Sequence, residues 1–388
     1  MKKIAIVTRC IIAGGIEKAL ISMINSIDRS KYKITIFVMA KGGEFEKFIS
    51  GDIEIIPIYG YEKTTKEKII NNIKEGNIIN AVKILFYTYI ALNSRPGYEQ
   101  EKYLAKILPK HKEVYDLAIA YHVPASFPVI YVINHLNARN KVGWIHSDAT
   151  KYKKQIDKYY DYYKKFNKIY LVSKEGKEKF IGLYPDLSRK SEVFHNIISR
   201  DEIINLSQKG SGFRDKFKGI RILTVGRITH EKGHILIPEI CKKLIDNKYN
   251  IRWYCIGDGD KRDELQEQIN NYNLDNIVHL LGVKTNPYKY MKECDIYVQP
   301  SKEEGYCITI AEAKCLSKPI IFTNVTGAEE QIKHGKTGFI AEFDIDSIYK
   351  YLVKLIEDRE LRDKLSENLT NEIVDTREEI NKLYSILR

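Results

Sequence analysis

The chain has 388 residues, more than one ordinary domain of about 100–200 residues, and this length predicts two domains. Its hydrophobic fraction of 44% supplies two cores and excludes a disordered chain. The net charge of +12 lies in the first half: residues 1–198 hold 33 Lys and Arg against 20 Asp and Glu (+13), and residues 199–388 hold 30 against 31 (−1).

Three observations bear on location. Met1–Lys3 leads straight into the strand-like run IAIVTR, which is not a signal peptide. The most apolar run, Ile78–Leu92, is interrupted by Asn80 and Lys83 and is shorter than the roughly 20 residues of a spanning helix. The six cysteines form no CxxC pair and no zinc spacing, so we interpret them as reduced core thiols. A cytoplasmic protein is expected.

The first half alternates short apolar runs with helical patterns, which is typical of a parallel α/β sheet. Strands are predicted at residues 3–9, 33–39, 53–58, 115–121, 141–146, 168–173 and 192–196. Residues 62–112 break this rhythm and are predicted to form an inserted helical region with an apolar face. Lysines concentrate at residues 151–168, a patch that suits anionic lipid, nucleic acid or an anionic substrate, or that is a solvated helix face.

The second half repeats the pattern, with strands predicted at residues 221–226, 251–257, 277–282, 296–300, 319–323 and 338–340. The polar stretch 199–219 is predicted to be a linker, so that the two domains cover residues 1–198 and 220–370. Doubly wound sheets bind ligands at the carboxyl ends of their strands. Two such sheets that face each other form an inter-domain cleft, and residues for chemistry should lie in the strand-to-helix loops around it.

The first such loop is CIIAGGIEKAL, directly after the first strand. Gly14 and Gly15 let the backbone approach a ligand, and the helix that follows directs its N-terminal N–H groups into the cleft, where a phosphate would be stabilised. The pattern is not GxGxxG, so it does not predict a dinucleotide site. A tight turn with no ligand is the alternative.

The second loop is TVGRITHEKGHILIPEI, after the first strand of the second half. Arg227 and Lys232 lie five residues apart. Gly226 and Gly233 reduce the steric constraints on the backbone of this loop. Two cations in one loop suit a diphosphate, which carries charge on both phosphoryl groups. Two solvated surface charges are the alternative.

The third loop, CIGDGDKRDEL, contains Gly257 and Gly259, which admit a nucleotide or only make the turn. Asp258 and Asp260 have the DxD spacing of some metal sites, but no third acidic ligand can be placed, and we interpret the motif as a structural turn. The motif WIHSD puts His146 at the carboxyl end of a strand. A histidine there can donate to a sugar hydroxyl or to developing charge, although a lone histidine is often structural.

The motif EEGYCITIAEA carries Glu304 in a loop and Glu312 about two turns into a helix. Eight helical residues span about 12 Å, which excludes a hydrogen-bonded carboxylate pair. The spacing fits two anchors on one long ligand, because carboxylates accept from sugar and ribose hydroxyls. The helix N-terminus near Tyr306 would direct its N–H groups at the same ligand. One surface carboxylate and one capping carboxylate are the alternative.

Together these motifs resemble the retaining glycosyltransferases of GT-B fold that are called family 4. The resemblance covers nearly the whole chain and is most specific over residues 226–340. It rests on the ordered set GGIE, GRITHEKG, IGDGDKRDEL, ECDIYVQPS, EEGYCITIAEA and TGAEEQIKHGKTGFI. YDLAIAY followed by KVGWIH is similar to members that build bacterial surface polysaccharides. One departure is Ile197, which stands after Asn196 where many members have glycine.

The resemblance implies two facing Rossmann-like domains, the first of which holds the acceptor and the second a nucleotide-sugar donor. It also implies sugar transfer with retention of configuration, without a cofactor or a bound metal. A C-terminal helix in residues 371–388 is expected to pack back toward the first domain.

The resemblance further assigns roles to individual residues. Arg227 and Lys232 would bind the diphosphate, Glu304 would contact the donor sugar, and His146 would lie beside that sugar; these four are the expected catalytic residues. Glu312 would bind the ribose. The residues expected to bind the donor are Gly14, Gly15, Gly226, Gly257, Gly305, Tyr306, Cys307, Ile308 and Glu312.

The expected donor is a UDP-sugar, by family frequency. The expected acceptor is a saccharide or a polyprenyl-diphosphate-linked saccharide in the synthesis of a capsule, exopolysaccharide or teichoic-type polymer. An anionic membrane surface is a further expected contact, which would make the protein peripheral at the inner face of the membrane; nucleic acid is not expected. Two alternatives of the same fold stay open: a nucleotide-sugar 2-epimerase, which needs no acceptor, and a non-catalytic partner subunit.

Overall fold

The computed structural model describes residues 1–12, 14–60, 64–108, 110–122, 124–372 and 374–388. Within them, each half of the chain forms one sheet. The strands of the first sheet are β1 (Lys2–Thr8), β2 (Tyr32–Val38), β3 (Glu54–Pro57), β4 (Val114–Ala120), β5 (Asn137–Ile145), β6 (Lys168–Leu171) and β7 (Ser191–Val193). The strands of the second sheet are β8 (Ile220–Val225), β9 (Ile251–Ile256), β10 (Val278–Leu280), β11 (Ile296–Gln299), β12 (Ile320–Thr323) and β13 (Phe339–Ala341).

Helices connect the strands. Those of the first half are α1 (Gly15–Ser26), α2 (Thr65–Lys74), α3 (Ile78–Leu92), α4 (Tyr98–Lys106), α5 (Phe127–Asn134), α6 (Lys153–Tyr163) and α7 (Lys174–Leu183). Those that follow are α8 (Arg200–Ser207), α9 (Ile237–Asp246), α10 (Arg262–Asn271), α11 (Tyr288–Glu293), α12 (Ile308–Cys315), α13 (Ala328–Gln331), α14 (Ile345–Glu357), α15 (Arg359–Thr370) and α16 (Ile380–Leu387). Short 3-10 turns occupy Glu46–Phe48, Pro185–Lys190, His230–Lys232, His234–Leu236 and Arg377–Glu379.

Both sheets are parallel and doubly wound. Their strand orders are β3-β2-β1-β4-β5-β6-β7 and β10-β9-β8-β11-β12-β13. The order reverses between β1 and β4 and between β8 and β11, and a crevice opens at the carboxyl ends of strands at such a point. The predicted α/β class with two doubly wound sheets is confirmed, and each strand overlaps the range predicted for it.

The strands are apolar along their length because helices cover both faces of each sheet. In β1, Ile4 and Ile6 enter one core cluster, and Ala5 and Val7 enter another. This alternation is that of successive side chains along a strand. The continuous apolar run of β1 is thus explained by burial on both sides.

The predicted insert at 62–112 contains α2, α3 and α4; its residues 62, 63 and 109 lie outside the described residues. Helix α4 packs against α5 and α6. Tyr159 in α6 donates a hydrogen bond to Glu101 in α4, with 2.6 Å between the oxygens. The insert is therefore fastened to the body of the first domain through α4.

The chain passes between the two sheets in two places that touch each other. Thr376 donates its hydroxyl to the carbonyl oxygen of Asn196 at 2.7 Å and its N–H to that of Ile198 at 3.1 Å. Beyond the second passage, α16 lies on the first sheet, where the Tyr384 ring stacks on Tyr32 at 5.0 Å between centroids.

The stretch predicted as a linker, residues 199–219, begins with helix α8, which packs against α11 and α12 of the second sheet. The Asn286 side-chain amide donates to the Leu206 carbonyl oxygen at 2.9 Å. The exact domain limits stay a prediction.

Candidate active site

The loop after β8 carries Lys232 near its end. The loop closes with the 3-10 turn and with Gly233, whose φ of +67° is left-handed. A Cβ on Gly233 would lie 1.8 Å from the Pro300 carbonyl oxygen, so only glycine lets this loop pack directly on the chain after β11. The contact brings Lys232 to the loop that contains Glu304.

Lys232 and Glu304 form an ion pair with 2.6 Å between Nζ and Oε1. The same carboxylate oxygen accepts a hydrogen bond from the Ser301 hydroxyl at 2.8 Å, and Ser301 accepts one from the Gln299 amide at 3.0 Å. Burial alone would lower the pKa of Lys232, but the Glu304 carboxylate holds that pKa above its ordinary value. A charged ammonium group is therefore fixed in place by a polar network.

Arg227, the other cation of this loop, is exposed. Burial raises the pKa of Glu17 to about 7, although the Arg227 cation acts to lower it. Burial, together with the charges of Arg9 and Arg227, lowers the pKa of His122 to about 3. Glu17 and His122 belong to the first domain. The charge of Arg227 in the second domain therefore influences the pKa of both groups across the cleft.

Glu312 lies in α12 and is 1% exposed. Its Oε1 accepts a hydrogen bond from the Tyr288 hydroxyl at 2.9 Å and lies 2.6 Å from Nζ of Lys18. Lys18 comes from α1 of the first domain, and its ammonium group also lies over the Tyr288 ring, 4.3 Å from the centroid. The other oxygen of Glu312, the buried Oε2, has no hydrogen-bond partner among the described residues. One carboxylate oxygen is therefore left for a ligand.

Helix α1 begins at Gly15, where an added Cβ would meet no described atom within 4 Å. At Gly14 an added Cβ would lie 2.4 Å from Oε2 of Glu17. The predicted phosphate site at this helix N-terminus therefore contains a buried carboxyl group, which the sequence analysis did not consider. Ala13, the other residue of the loop, lies outside the described residues.

His146 follows β5 and lies against the Tyr121 ring, 4.5 Å between centroids. Burial and the neighbouring His122 lower the pKa of His146 to about 3, so its imidazole is neutral. Its buried Nε2 is without a partner in the described part of the chain. A Cβ on Gly305 would lie 2.1 Å from the His146 carbonyl oxygen, so the two domains touch backbone to backbone here.

The three predicted residues after Gly305 enter or flank α12. Tyr306 packs its ring against His195 at 5.8 Å. Cys307 is the N-cap residue of α12, and Cys307 and Ile308 are both buried. Their side chains thus fill the core, and only their backbone is suited to a ligand.

The two predicted glycines at the ends of β8 and β9 differ in their surroundings. A Cβ on Gly257, whose φ is +145°, would lie 1.9 Å from the Gly226 carbonyl oxygen. A Cβ on Gly226 would fit, with the nearest described atom, of Gln299, 3.7 Å away. Gly257 therefore supports the loop that carries the cations, whereas a Cβ at Gly226 would make only ordinary van der Waals contact with Gln299, His234 and Lys232.

Other contacts between the domains were not predicted from the sequence. The Asp148 carboxylate lies 2.9 Å from Nζ of Lys179 and accepts from the Thr326 hydroxyl at 2.7 Å. Glu330 of the second domain accepts from the N–H groups of Lys174 and Glu175 at 3.0 and 2.8 Å. It thereby caps α7 of the first domain. No local pattern marks these residues, since each is paired only through the fold.

His195 sits where the chain first passes between the domains. Hydrogen bonds with Glu330 and Glu379 raise the pKa of His195 to about 9. In the sequence this segment stands out only for Ile197, after Asn196. The imidazolium joins the second domain to the segment just before α16.

Several features of the cleft suit one kind of ligand. Lys232 and Arg227 provide positive charge at its second-domain side, and Glu304 and Glu312 provide buried acceptors for hydroxyl groups. Gly15 faces open space from the other side. An elongated ligand with an anionic middle and hydroxyl-bearing ends matches this distribution of charge.

Comparison with known proteins bears on the identity of this ligand. Residues 212–372 match the model of the family described as Glycosyl transferases group 1. An uncharacterised glycosyltransferase of Methanocaldococcus jannaschii is 28% identical over 84% of this chain and 86% of its own length. The N-acetylgalactosamine-N,N'-diacetylbacillosaminyl-diphospho-undecaprenol 4-alpha-N-acetylgalactosaminyltransferase of Campylobacter jejuni is 30% identical, over 52% of this chain and 53% of its own length.

Solved structures share the fold. The structure of HepE from Anabaena in complex with UDP and glucose is similar with a TM-score of 0.71, covers 99% of each chain and has 17% sequence identity. At that identity the similarity establishes the fold, which is the two-domain GT-B arrangement.

Proposed function

We propose that this chain, whose residues 212–372 match the model of the Glycosyl transferases group 1 family, transfers a sugar, with retention of configuration, from a UDP-sugar to an acceptor saccharide. The acceptor in this proposal is a saccharide or a polyprenyl-diphosphate-linked saccharide on the way to a bacterial surface polysaccharide. The undecaprenol-linked substrate in the name of the Campylobacter jejuni relative supports this acceptor, and the UDP in the similar HepE structure supports the donor.

The ion pair between Lys232 and Glu304 carries the proposal. When a sugar leaves a nucleoside diphosphate, negative charge builds up on the glycosidic oxygen, and a fixed cation beside it lowers the barrier. In our proposal Lys232 and Arg227 bind the diphosphate and stabilise this charge. The network of Ser301 and Gln299 holds Lys232 in position before the donor arrives, so no reorganisation is needed at the moment of reaction.

The carboxylates serve as acceptors for hydroxyl groups in this proposal. Glu304 binds the donor sugar, and Glu312 binds the ribose through its free Oε2. Since both are used for binding, neither attacks the anomeric carbon. The acceptor hydroxyl attacks on the face that the diphosphate leaves, and the leaving phosphate takes up its proton. Neutral His146 lies beside the sugar and contributes a hydrogen bond.

The remaining residues contribute backbone groups. The N-terminus of α12, from Gly305 to Ile308, supports the sugar and the phosphates, and the N-terminus of α1 at Gly14 and Gly15 faces the phosphates from the first domain. Burial raises the pKa of Glu17 to about 7, and a bound diphosphate would raise this pKa further, so the protonated carboxyl group would not repel the phosphates.

We also propose that the enzyme works in the cytoplasm at the inner face of the membrane. A lipid-linked acceptor would be found there, and the excess of +13 in residues 1–198 favours an anionic surface.

A panel of nucleotide sugars tests the donor. Bound donor stabilises the folded state, by about 2.7 kcal/mol at a concentration of 100 Kd, and this raises the melting temperature. We expect a UDP-sugar to do so, and we expect Lys232→Met to reduce the effect. If no nucleotide sugar binds the wild-type protein, the proposal is wrong.

The product distinguishes transfer from epimerisation. With donor alone, an epimerase converts the sugar without release of UDP, whereas a transferase releases UDP only slowly by hydrolysis. With an acceptor, NMR of the anomeric proton of the product should show the configuration of the donor. An isomerised donor in the absence of acceptor would favour the 2-epimerase instead.

A further inference from the structure

Helix α3 exposes a stripe of large apolar side chains. Ile79 is 86% exposed, Leu92 is 74% exposed, and four others are more than half exposed. The α3 stripe consists of Ile79, Val82, Leu85, Phe86, Tyr89 and Leu92. Their spacing of three and four residues places them on one face of the helix. Soluble surfaces rarely carry so many exposed apolar groups side by side without a partner.

The opposite face of α3 is seated on the protein. Ala81, Ile84 and Ala91 are buried, and Ile84 belongs to the core of the first domain. The orientation of the helix is therefore fixed, and the α3 stripe points outward. Among the described residues every helix is too short or too polar to cross a bilayer. Helix α3 is about 22 Å long and would lie flat on a surface.

The charge around the α3 stripe is positive. Residues 64–108 hold seven Lys and Arg against four Asp and Glu, a net +3, and one of the four acids, Glu101, is buried. The only charged residue of α3 is Lys83, which is exposed beside the stripe. A second copy of the chain would bring like charges together across this face, whereas an anionic lipid surface would be attracted to it.

The lysine-rich segment 151–168 lies one helix away from α3, because α4 packs against both α3 and α6. Its helix α6 packs against α4, the neighbour of α3, through the rings of Tyr98 and Tyr159 at 4.9 Å. Lys154 and Lys158 of α6 are exposed. Basic groups thus flank the apolar stripe at a distance of one helix.

This side of the domain also adjoins the cleft. Arg9, which follows β1, lies 3.6 Å from Glu101 of α4. Burial raises the pKa of Tyr152, just before α6, and the charges of Glu303 and Glu231 in the second domain raise it further. Helix α4 and the start of α6 therefore lie near the rim of the candidate active site.

We propose that the α3 stripe inserts into the interface of an anionic phospholipid bilayer, with the lysines of α6 on the lipid headgroups and the cleft opening beside the membrane. Amphipathic helices that lie in the interface combine an apolar face with basic flanks in this way. The proposal rests on the membrane location given under the proposed function and names the surface that makes the contact. Vesicle binding is measured without donor or acceptor, so it can fail while sugar transfer is retained.

Flotation with vesicles tests the proposal. The purified protein is mixed with vesicles of phosphatidylcholine alone or of phosphatidylcholine with phosphatidylglycerol, at low and at high salt. We expect it to float with the anionic vesicles, and to float less at high salt because the lysines contribute part of the affinity. Failure to float with anionic vesicles at low salt would overturn the proposal.

Two double variants locate the contact. Leu85→Gln with Phe86→Gln removes apolar side chains from the stripe while it keeps good helix formers, and we expect vesicle affinity to fall by at least about tenfold. Tyr272→Gln with Val283→Gln removes two exposed apolar side chains from the second domain and should leave vesicle affinity unchanged. Equal loss in both variants, or no loss in the first, would overturn the proposal.

Light scattering on the same samples tests whether a second copy of the chain, instead of a membrane, covers the α3 stripe. If the wild type is a dimer that the α3 variant converts to a monomer, and neither binds vesicles, a second copy of the chain covers the stripe and the proposal is wrong. Circular dichroism of both variants should match that of the wild type, because all four positions are exposed.

Discussion

Lys18 and Glu312 belong to opposite domains, and Lys18 Nζ lies 2.6 Å from Glu312 Oε1. Glu312 is buried, so its negative charge needs a partner. Among the described residues, the cation paired with Glu312 comes from the first domain, from the helix that follows its glycine-rich loop. Domain closure and the charge balance of the proposed ribose site are thus coupled.

A double-mutant cycle measures this coupling. Lys18→Met, Glu312→Gln and the double variant are compared by denaturant unfolding. We expect the single variant Lys18→Met to lose stability because it leaves a buried carboxylate unpaired, and we expect a coupling energy of about 1–3 kcal/mol. The exposed pair Lys153–Asp157 is the control and should give less than about 1 kcal/mol. Equal coupling in the two pairs would contradict our interpretation.

Glu312→Gln should also weaken donor binding. Gln keeps the shape of the side chain but replaces a charged acceptor, and the loss of a hydrogen bond to a charged group costs about 1.5–3 kcal/mol. The donor KM should rise by about 10- to 150-fold. Glu239→Gln, on the exposed side of α9, should leave it unchanged. A normal donor KM in Glu312→Gln would exclude the ribose role.

Lys232→Met should lower kcat. A single fixed electrostatic donor at a leaving group contributes about 10²–10³-fold to the rate, and Lys232 is held in place by Glu304 and its network. Lys243→Met, at an exposed position of α9, is the matched control. Steady-state kinetics with saturating donor give the comparison, and an unchanged kcat would remove Lys232 from the mechanism.

Gly305→Ala should hold the domains apart. The added Cβ would lie 2.1 Å from the His146 carbonyl oxygen, and a backbone group cannot move aside cheaply. We expect a larger radius of gyration in solution scattering and at least about tenfold lower turnover, since misplacement by about 1 Å is costly. Gly182→Ala, where an added Cβ would meet no described atom within 4 Å, should preserve both. A compact, active Gly305→Ala would show that the contact is not needed.

Glu17 makes stability depend on pH. Its ordinary pKa is 4.5, and burial raises it to about 7, so the ionised form is disfavoured in the folded state. This contribution is complete below pH 4.5 and is lost as the pH rises through about 7. Glu17→Gln cannot ionise, and its advantage over the wild type in unfolding free energy should grow over this range to on the order of 3 kcal/mol. Parallel pH profiles for the two proteins would refute this.

The sheets could be predicted because their signal is local. Runs such as Ile4–Val7 are apolar throughout since helices cover both faces, and the thirteen predicted strands all recur in the described residues. Lys232 and Glu304 were both selected from their loops, and the fold joins them. The predicted roles of these two residues stay predictions.

The partners across the cleft could not be predicted. Lys18 is one more lysine in a basic half. No local pattern pairs Asp148 with Lys179 inside the first domain or with Thr326 across the cleft. Glu17 stood in the motif CIIAGGIEKAL, but a run of residues in the sequence does not reveal that this carboxyl group is buried. Helix α8 was missed because a polar segment between domains does not reveal that it will pack on α11 and α12.

The position of α16 has a consequence for biosynthesis. Ile380, Leu383 and Leu387 are buried in the same core cluster as Ile4 and Ile6 of β1. A wall of the first domain is thus made from residues that the ribosome adds after the whole second sheet. During translation, apolar residues of the N-terminal sheet therefore stay exposed until α16 is available to cover them. Chaperone binding should persist until residues 380–387 have left the exit tunnel.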